Sequence, residues 1–404
     1  MATVSSGGPV AIIVGAHPYP HGNASANRML GLARTFAEAG MSALVVNDDP
    51  RLTAIGERRP GTTNGVPYMN LGAPTGSRRQ RWARRRSFGA RLAAVISATV
   101  DVDDVQVVCV PSYFYTPRTR RFLRGAAPAA TLIVDVVERH DAGQFPRGRL
   151  EPYFIRHRLT SWYAERTADR VIVISRALAA GPFRSRSPFV LPPTVEVADF
   201  RDAAEATRPE GPTTVTYVGS PGSKDDLSAL VAAVGQLSAT ERAALRIVVG
   251  GVDREAMAQL PGLSTASLLE IDDVLEVVGK LDRSGVAHLL ARSHYTILIR
   301  DPDAGFARFG FPTKVPESMA AGCPPIANLT SDLGDYITDG RDSLICPGPT
   351  ASQIAATLRR ALQDVAAGEH PRRSLEAART ADERFTAASW APDLYSWLTA
   401  DSGR

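Results

Sequence analysis

Lysine is almost missing from this chain. Of its 46 basic residues only Lys224, Lys280 and Lys314 are lysines, and arginine supplies the others. A compact ammonium fits between phosphate oxygens where a planar guanidinium does not, so the places that keep lysine are candidates for an anion site. Cysteine is as scarce: Cys109, Cys323 and Cys346 lie far apart, in strand-like surroundings and without metal-ligand spacing. That argues against a disulfide framework and leaves buried free thiols in a cytoplasmic protein as the expectation. No apolar run reaches the length of a membrane span, and residues 1–9 lack the basic and apolar regions of a signal peptide. No spaced Asp/His cluster suggests a metal, so none is expected, and no two-carboxylate hydrolase pattern is found.

What is present suits an α/β protein. With 404 residues, 44% of them hydrophobic and 22% charged, the chain is long enough for two domains with separate cores. Residues 10–14 form an apolar run of buried-strand type, followed by a turn-rich loop over 15–22. The spacing then predicts a helix over 23–39, with Met29, Leu32, Ala33 and Phe36 on one face and Gly40 ending it. No Gly-x-Gly-x-x-Gly is present, so this opening is not a dinucleotide fingerprint; His17 and His21 read first as solvated loop residues, with lining of a ligand cleft as the alternative. A second strand covers 42–47, and residues 51–77, rich in Gly and Pro, predict a long excursion without regular structure. It leads into Arg78-Arg79-Gln80-Arg81-Trp82-Ala83-Arg84-Arg85-Arg86, a basic block that reaches Arg91. A solvated helix face is the first reading of such a block; its concentration and Trp82 also admit an anionic acceptor or an acidic membrane surface. No nucleic-acid-binding motif accompanies it, so nucleic acid is not an expected partner.

Strands follow at 105–110 and 132–137, and Tyr113, Phe114 and Tyr115 are expected to reach over the site. The second strand ends in Glu138-Arg139-His140-Asp141, and the carboxyl ends of strands are where open α/β sheets place their ligands. A helix over 151–167 and a strand ending at the capping Ser175 come next. Residues 189–212, rich in proline, read as a linker. A fresh strand at 214–218 runs into Gly219-Ser220-Pro221-Gly222-Ser223-Lys224, with a helix expected near Asp225. Strands at 246–249, 274–278 and 295–299 alternate with helices over 253–259 and 282–291. In Gly310-Phe311-Pro312-Thr313-Lys314-Val315-Pro316-Glu317, the proline holds Phe311 extended, and Thr313 is suited to cap a helix that Gly322 stops. The first turn of that helix, beside Lys314, suits a diphosphate, and Glu317 faces the same place. A last strand at 343–346 precedes helices from 351 and 373. The final helix, 388–399, carries Trp390, Leu394 and Trp397 at helical spacing, which reads as packing.

Gly310-Phe311-Pro312, Glu317 and Met319-Ala320-Ala321-Gly322-x-Pro324 resemble the donor-binding segment of retaining, nucleotide-sugar-dependent glycosyltransferases with the GT-B fold, the family 4 group in particular. The resemblance runs through nearly the whole chain in order. It implies two Rossmann-like domains facing across a cleft: an acceptor-side domain at 1–195, a linker at 196–212 and a donor domain at 213–385. Residues 386–404 would be a helix crossing back to the first domain. It assigns the ribose to Glu317, the diphosphate to Gly22, Asn23, Gly219, Ser220 and Lys224, and the nucleobase to the main chain around Lys280 and Leu281. Phe311, Pro312, Thr313 and Lys314 complete the donor site. His140 would contact the transferred sugar, with Asp141 orienting it or meeting the acceptor, so that His140, Asp141 and Lys224 are the implied catalytic groups. Two positions depart from the family: Phe309 replaces a glutamate, and Ser220 stands where an arginine is usual, for which Lys314 and Arg308 are candidate substitutes. The implied reaction moves a sugar to a hydroxyl acceptor, a glycan, lipid-linked glycan or small molecule, with retention and without a metal. An epimerase or hydrolase on the same fold, and a non-catalytic glycan- or nucleotide-binding partner subunit, are the alternatives.

Overall fold

The computed structural model describes residues 7–17, 19–20, 23–49, 60–71, 77–204, 211–221 and 224–400. The chain divides into two compact units, Met1–Thr194 with Ala387–Arg404, and Val195–Thr386. Each is a twisted sheet with helices on it.

In the first unit, β1 (Val10–Gly15), β2 (Ser42–Asn47), β3 (Gly61–Thr63), β4 (Val66–Asn70), β5 (Val105–Pro111), β6 (Thr131–Val136), β7 (Arg170–Val173) and β8 (Phe189–Val190) form one sheet. Its order is β3-β4-β2-β1-β5-β6-β7-β8. The neighbours are parallel except β3 with β4. A parallel sheet covered on both faces needs strands apolar along their whole length, and β1 is buried throughout. The crossovers are α1 (Ala24–Glu38), α2 (Arg78–Thr99), α3 (Pro117–Ala126) and α4 (Pro152–Thr167), and the short α5 (Arg176–Ala180) follows β7. Met29, Leu32, Ala33 and Phe36 of α1 lie in the core, as their spacing predicts. Ser175 caps α5 by accepting from Leu178 N–H.

The stretch 51–77 is not without regular structure. Residues 51–59 and 72–76 lie outside the described residues, but β3 and β4 form a hairpin between them. Its turn is Asn64-Gly65, both with positive φ (46° and 76°). Asn-Gly between paired strands is the sequence signal for this turn, here masked by Gly/Pro-rich flanks that look like loop.

In the second unit, β9 (Thr213–Val218), β10 (Leu245–Gly250), β11 (Leu275–Gly279), β12 (Tyr295–Leu298), β13 (Pro325–Asn328) and β14 (Leu344–Cys346) form a parallel sheet of order β11-β10-β9-β12-β13-β14. Around it stand α6 (Ala198–Ala204), α7 (Leu227–Gly235), α8 (Ala239–Ala243), α9 (Arg254–Ala258), α10 (Thr265–Leu269), α11 (Arg283–Ala291), α12 (Gly305–Phe309), α13 (Lys314–Ala320), α14 (Ala351–Ala366) and α15 (His370–Arg384). The stretch read as a linker therefore contains a helix, α6, whose Phe200 is buried and whose Asp199 pairs with Arg283 of α11 at 2.7 Å. Its continuation, 205–210, lies outside the described residues. The helix expected near Asp225 starts at Leu227, with Asp226 as its cap. The three cysteines are buried and free. Among the described residues no helix is long and apolar enough to cross a membrane.

The last helix, α16 (Ala387–Thr399), belongs to the first unit. Leu394 is fully buried in the core that α1 builds, and the rings of Trp390 and Trp397 lie 6.2 and 5.5 Å from Phe189. Leu394→Ala should therefore cost about 2–5 kcal/mol, as for other fully buried leucines. Urea unfolding followed by tryptophan emission checks this; an unchanged midpoint would show that α16 is not needed by that core.

Candidate functional site

In both units the order of strands reverses beside the first one, at β1 and at β9. In parallel sheets the crevice for a ligand opens at the carboxyl ends of the strands there. In the second unit this edge is built from glycine. Gly219, after β9, has φ of 144° and its N–H donates to Gly250 O at 3.0 Å. Gly251, after β10, has φ of 103° and its N–H donates to Gly279 O at 2.6 Å. A Cβ on Gly251 would lie 2.1 Å from Gly219 O, and one on Gly219 would lie 2.3 Å from Cε of Lys314. Only glycine lets these main chains and the lysine stem approach so closely.

Lys314 runs across Gly219 to a buried ion cluster that sequence reading did not identify. Its ammonium donates to Asp225 at 2.5 Å and to the Tyr217 hydroxyl at 2.8 Å, and lies 4.1 Å from the Tyr217 ring centre. The Tyr217 hydroxyl donates to the same Asp225 oxygen at 2.8 Å, and Arg300, at the end of β12, donates to the other at 2.9 Å. Burial raises the Asp225 carboxyl, but Lys314 and then Arg300 more than offset that, and it is held below the usual carboxylate range. Burial pushes the Lys314 ammonium down, against the opposing pull of Asp225. Asn328 links the next strand by accepting from Arg300 N–H at 2.9 Å and donating to its carbonyl at 2.7 Å.

The other expected donor residues of this unit have different surroundings. Lys224, next to Asp225, is exposed, with its ammonium 5.6 Å from the Phe306 ring centre. Ser220 is exposed, whereas Gly222 and Ser223 lie outside the described residues. Leu281 lies under Gly250, where a Cβ would meet it at 3.0 Å, and Lys280 beside it is exposed. Glu317 is half-buried on α13, within electrostatic reach of Lys314. Phe311 and Pro312 are buried, with Phe311 packed on Tyr336 and Phe385 at 5.3 and 5.9 Å. Arg308 is exposed on α12 over Phe309, at 5.2 Å. Thr313 does not cap α13: it has helical φ and ψ and makes no side-chain cap hydrogen bond, because the chain is already turning at Pro312, whose carbonyl accepts from Val315 N–H.

The first unit places its polar side chains at the same end of its sheet. Asn23 caps α1, its side chain accepting from Ser25 and Ala26 N–H at 3.1 and 3.0 Å, while His21 and Gly22 lie outside the described residues. His17 is not a solvated loop residue: its N–H donates to Asn47 at 3.0 Å and its ring meets the Tyr113 hydroxyl at 2.7 Å. Arg28 of α1 is buried against Asp135 of β6 at 2.8 Å and donates to the carbonyls of Leu191 and Pro192 at 2.8 and 3.0 Å. Asp48, at the end of β2, takes Arg84 and Arg91 at 2.7 and 2.6 Å, so part of the basic block is internal structure. Tyr115 turns inward to Thr167 O at 2.9 Å, away from any surface site.

His140 stands among aromatic rings, 4.6 Å from His157, 5.4 Å from Tyr153 and 5.6 Å from Phe145. Gln144 is its hydrogen-bonding neighbour, with Oε1 3.2 Å from His140 Nδ1 and accepting from Asp141 N–H at 3.0 Å. Asp141 itself is exposed. Burial, reinforced by the neighbouring His140, lowers the His157 imidazole from 6.5 to about 4, so it is neutral at neutral pH. Among the described residues, no group of three or more His, Cys, Asp and Glu could hold a metal ion.

Residues 212–364 match the family model described as glycosyl transferases group 1, which is most of the second unit and less than half of the chain. Among solved structures, sucrose-phosphate synthase from Thermosynechococcus elongatus is similar, with 17% identity, a TM-score of 0.70 and coverage of 98% of this chain and 100% of that one. A glycosyltransferase from Rickettsia africae has 12% identity and a TM-score of 0.66, with 98% and 100% covered. HepE from Anabaena, in complex with UDP and glucose, has 13% identity and a TM-score of 0.66, with 96% and 99% covered. No curated protein matches the sequence. These likenesses establish the fold, GT-B.

Two outcomes follow from the geometry. Asp225→Ala leaves Lys314 and Arg300 without their shared buried partner and should destabilise the second unit by about 3–5 kcal/mol, read by urea unfolding; a cost below about 1 kcal/mol would mean that solvent already screens the cluster. His157 carries the opposite sign of the usual histidine. Below pH 6.5 the unfolded chain binds a proton that the folded one refuses until about pH 4, so stability is lost as pH falls through that window. The loss is up to about 3 kcal/mol. His157→Gln should flatten the pH dependence of unfolding between those limits, and an unchanged slope would remove His157 as its source.

Proposed function

We propose that this protein is a glycosyltransferase that takes a sugar from a nucleoside diphosphate sugar and transfers it to a hydroxyl acceptor, with retention of anomeric configuration and without a bound metal. The match of residues 212–364 to the group 1 glycosyl transferases carries this reading. Three features of the matched unit support it: the glycine-built edge at Gly219 and Gly251, the exposed Lys224 just ahead of Asp225, and Glu317 within electrostatic reach of Lys314. The binding of UDP and glucose by the structurally similar HepE agrees with a diphosphate donor.

In this reading the diphosphate lies at the turn that follows Gly219, where Ser220 and Lys224 are exposed, while the N–H groups of Gly219 and Gly251 are already donated to Gly250 and Gly279. Glu317 accepts from the ribose hydroxyls. The sugar's C1–O bond to the diphosphate breaks, and the charge that develops on the leaving oxygen is stabilised by Lys224. The acceptor oxygen bonds C1 on the same face and its proton passes to the leaving phosphate, so no second carboxylate is required. Lys314 shares its charge with Asp225 and acts chiefly by holding α13 against Gly219. That leaves Lys224 as the principal cation, with Arg308 able to supply what Ser220 does not. In the same reading His140, with Gln144 as its hydrogen-bonding neighbour, contacts the transferred sugar, and Asp141, which is exposed, meets the acceptor, a cell-envelope glycan or a secondary metabolite.

A thermal-shift panel of UDP, GDP, ADP and TDP with their sugars, with and without magnesium, tests the donor. Stabilisation by one nucleotide family, equal in both conditions, is expected; no shift with any member would favour a non-catalytic subunit, and turnover without acceptor an epimerase or hydrolase. Lys224→Ala should lower turnover by about 100-fold or more, the scale of losing one group that stabilises developing charge. Glu317→Gln should weaken nucleotide affinity by about tenfold, the equivalent of one charge-assisted hydrogen bond. Near-normal kinetics for Lys224→Ala would overturn its role.

A further inference from the structure

Helix α4 is built inside out. His157, Thr160 and Ala164 are its buried residues, two of them polar and one small. On the opposite side, Ile155, Leu159 and Trp162 are 43%, 60% and 52% exposed, and Leu150 in the turn before the helix is 78% exposed. At about 100° per residue, Ile155, Leu159 and Trp162 fall within an arc of roughly 60°, centred nearly opposite the buried residues. A helix in water normally turns such side chains to the core, so an apolar strip facing outward marks a surface that something else covers.

The charges around the strip say what that is. Residues 147–166 hold five arginines against two glutamates. Arg158 and Arg166 are exposed, next to the strip, and the Arg166 guanidinium lies 4.4 Å over the Trp162 ring. Glu165 is within 3.9 Å of Arg166, and Glu151 is half-buried at the start of the helix, so neither makes the face acidic. Tryptophan and leucine projecting between arginines whose stems can lie along apolar surface is the chemistry of a helix lying in a lipid headgroup layer. A protein partner would need an acidic rim around an apolar groove; a bilayer with anionic lipids offers both properties without shape.

The geometry points to α4, with Leu150, Leu159, Trp162, Arg158 and Arg166, as a surface that docks on anionic lipid bilayers. The basic block on α2 is the less suited element, because Arg84 and Arg91 are spent on Asp48 inside the unit. The inference stands on α4 alone and does not depend on the proposed transfer reaction.

The full chain is to be sedimented with vesicles of phosphatidylcholine alone and of phosphatidylcholine with about 30 mol% phosphatidylglycerol. The anionic vesicles should bind about tenfold more protein, and about 0.5 M salt should remove most of the difference. Leu159→Ser with Trp162→Ser changes exposed positions, so the fold and its unfolding midpoint should persist while vesicle binding falls about tenfold. Arg158→Gln with Arg166→Gln should do the same, whereas Leu375→Ser, at a 70% exposed leucine of the second unit, should not. Equal binding to neutral vesicles, no binding to either, or unchanged binding by the Leu159/Trp162 variant would overturn the inference. So would a wild-type dimer in sedimentation equilibrium that this variant abolishes, which would assign the strip to a second copy of the chain.

Discussion

One buried carboxylate, that of Asp225, holds the working edge of the second sheet together. A charge under 10% exposed is tolerated only when it is paired, and Asp225 draws its partners from three elements: Tyr217 on β9, Arg300 after β12 and Lys314 on α13. Those partners fix where α13 lies, hence where Glu317 stands, and they carry the lysine stem over Gly219. The glycines are the other half of the constraint, because side chains at Gly219 or Gly251 would push the same pieces apart. A diphosphate site of the proposed kind needs a turn held in place and a nearby cation; this cluster holds the turn, and in that reading Lys224 is the cation.

The same device recurs in the first unit. Asp135 and Asp48, at or near the carboxyl ends of β6 and β2, are each neutralised by arginines from helices: Arg28 for the one, Arg84 and Arg91 for the other. A planar guanidinium satisfies both oxygens of a carboxylate and still reaches carbonyls, as Arg28 does at Leu191 and Pro192. The arginine-rich composition is thus partly internal architecture, and the basic run on α2 is less of a solvated surface than its density suggests. The outward strip on α4 has the reverse character: apolar side chains for which the fold itself has no use.

Much of this was legible from residue order. Apolar runs marked most of the strands within a residue or two, Met29 to Phe36 marked the buried face of α1, and Trp390, Leu394 and Trp397 marked a packing helix. The Gly310-to-Pro324 segment pointed to GT-B, which the structural likenesses bear out. Asn64-Gly65 was also readable as a hairpin and was missed because its surroundings look like loop. Asp225 gave no such signal, since an aspartate just ahead of a helix is ordinarily a cap and here its neighbour Asp226 does that work.

Sequence alone therefore determined most of the element order and the α/β class, and it marked a segment that resembles a donor-binding one, because periodicity, caps and turns act between residues a few positions apart. Tertiary structure decided which charges meet. Asp225 lies 75 positions from Arg300 and 89 from Lys314, and Arg28 lies 107 from Asp135, so no local pattern could join them. It also decided which face of α4 looks outward, since a helix with large apolar residues on one side and His157, Thr160 and Ala164 on the other turns the expected way only if what packs against it asks for bulk. Here His157, Thr160 and Ala164 face inward, with His157 against His140, and the apolar strip is left to the surface.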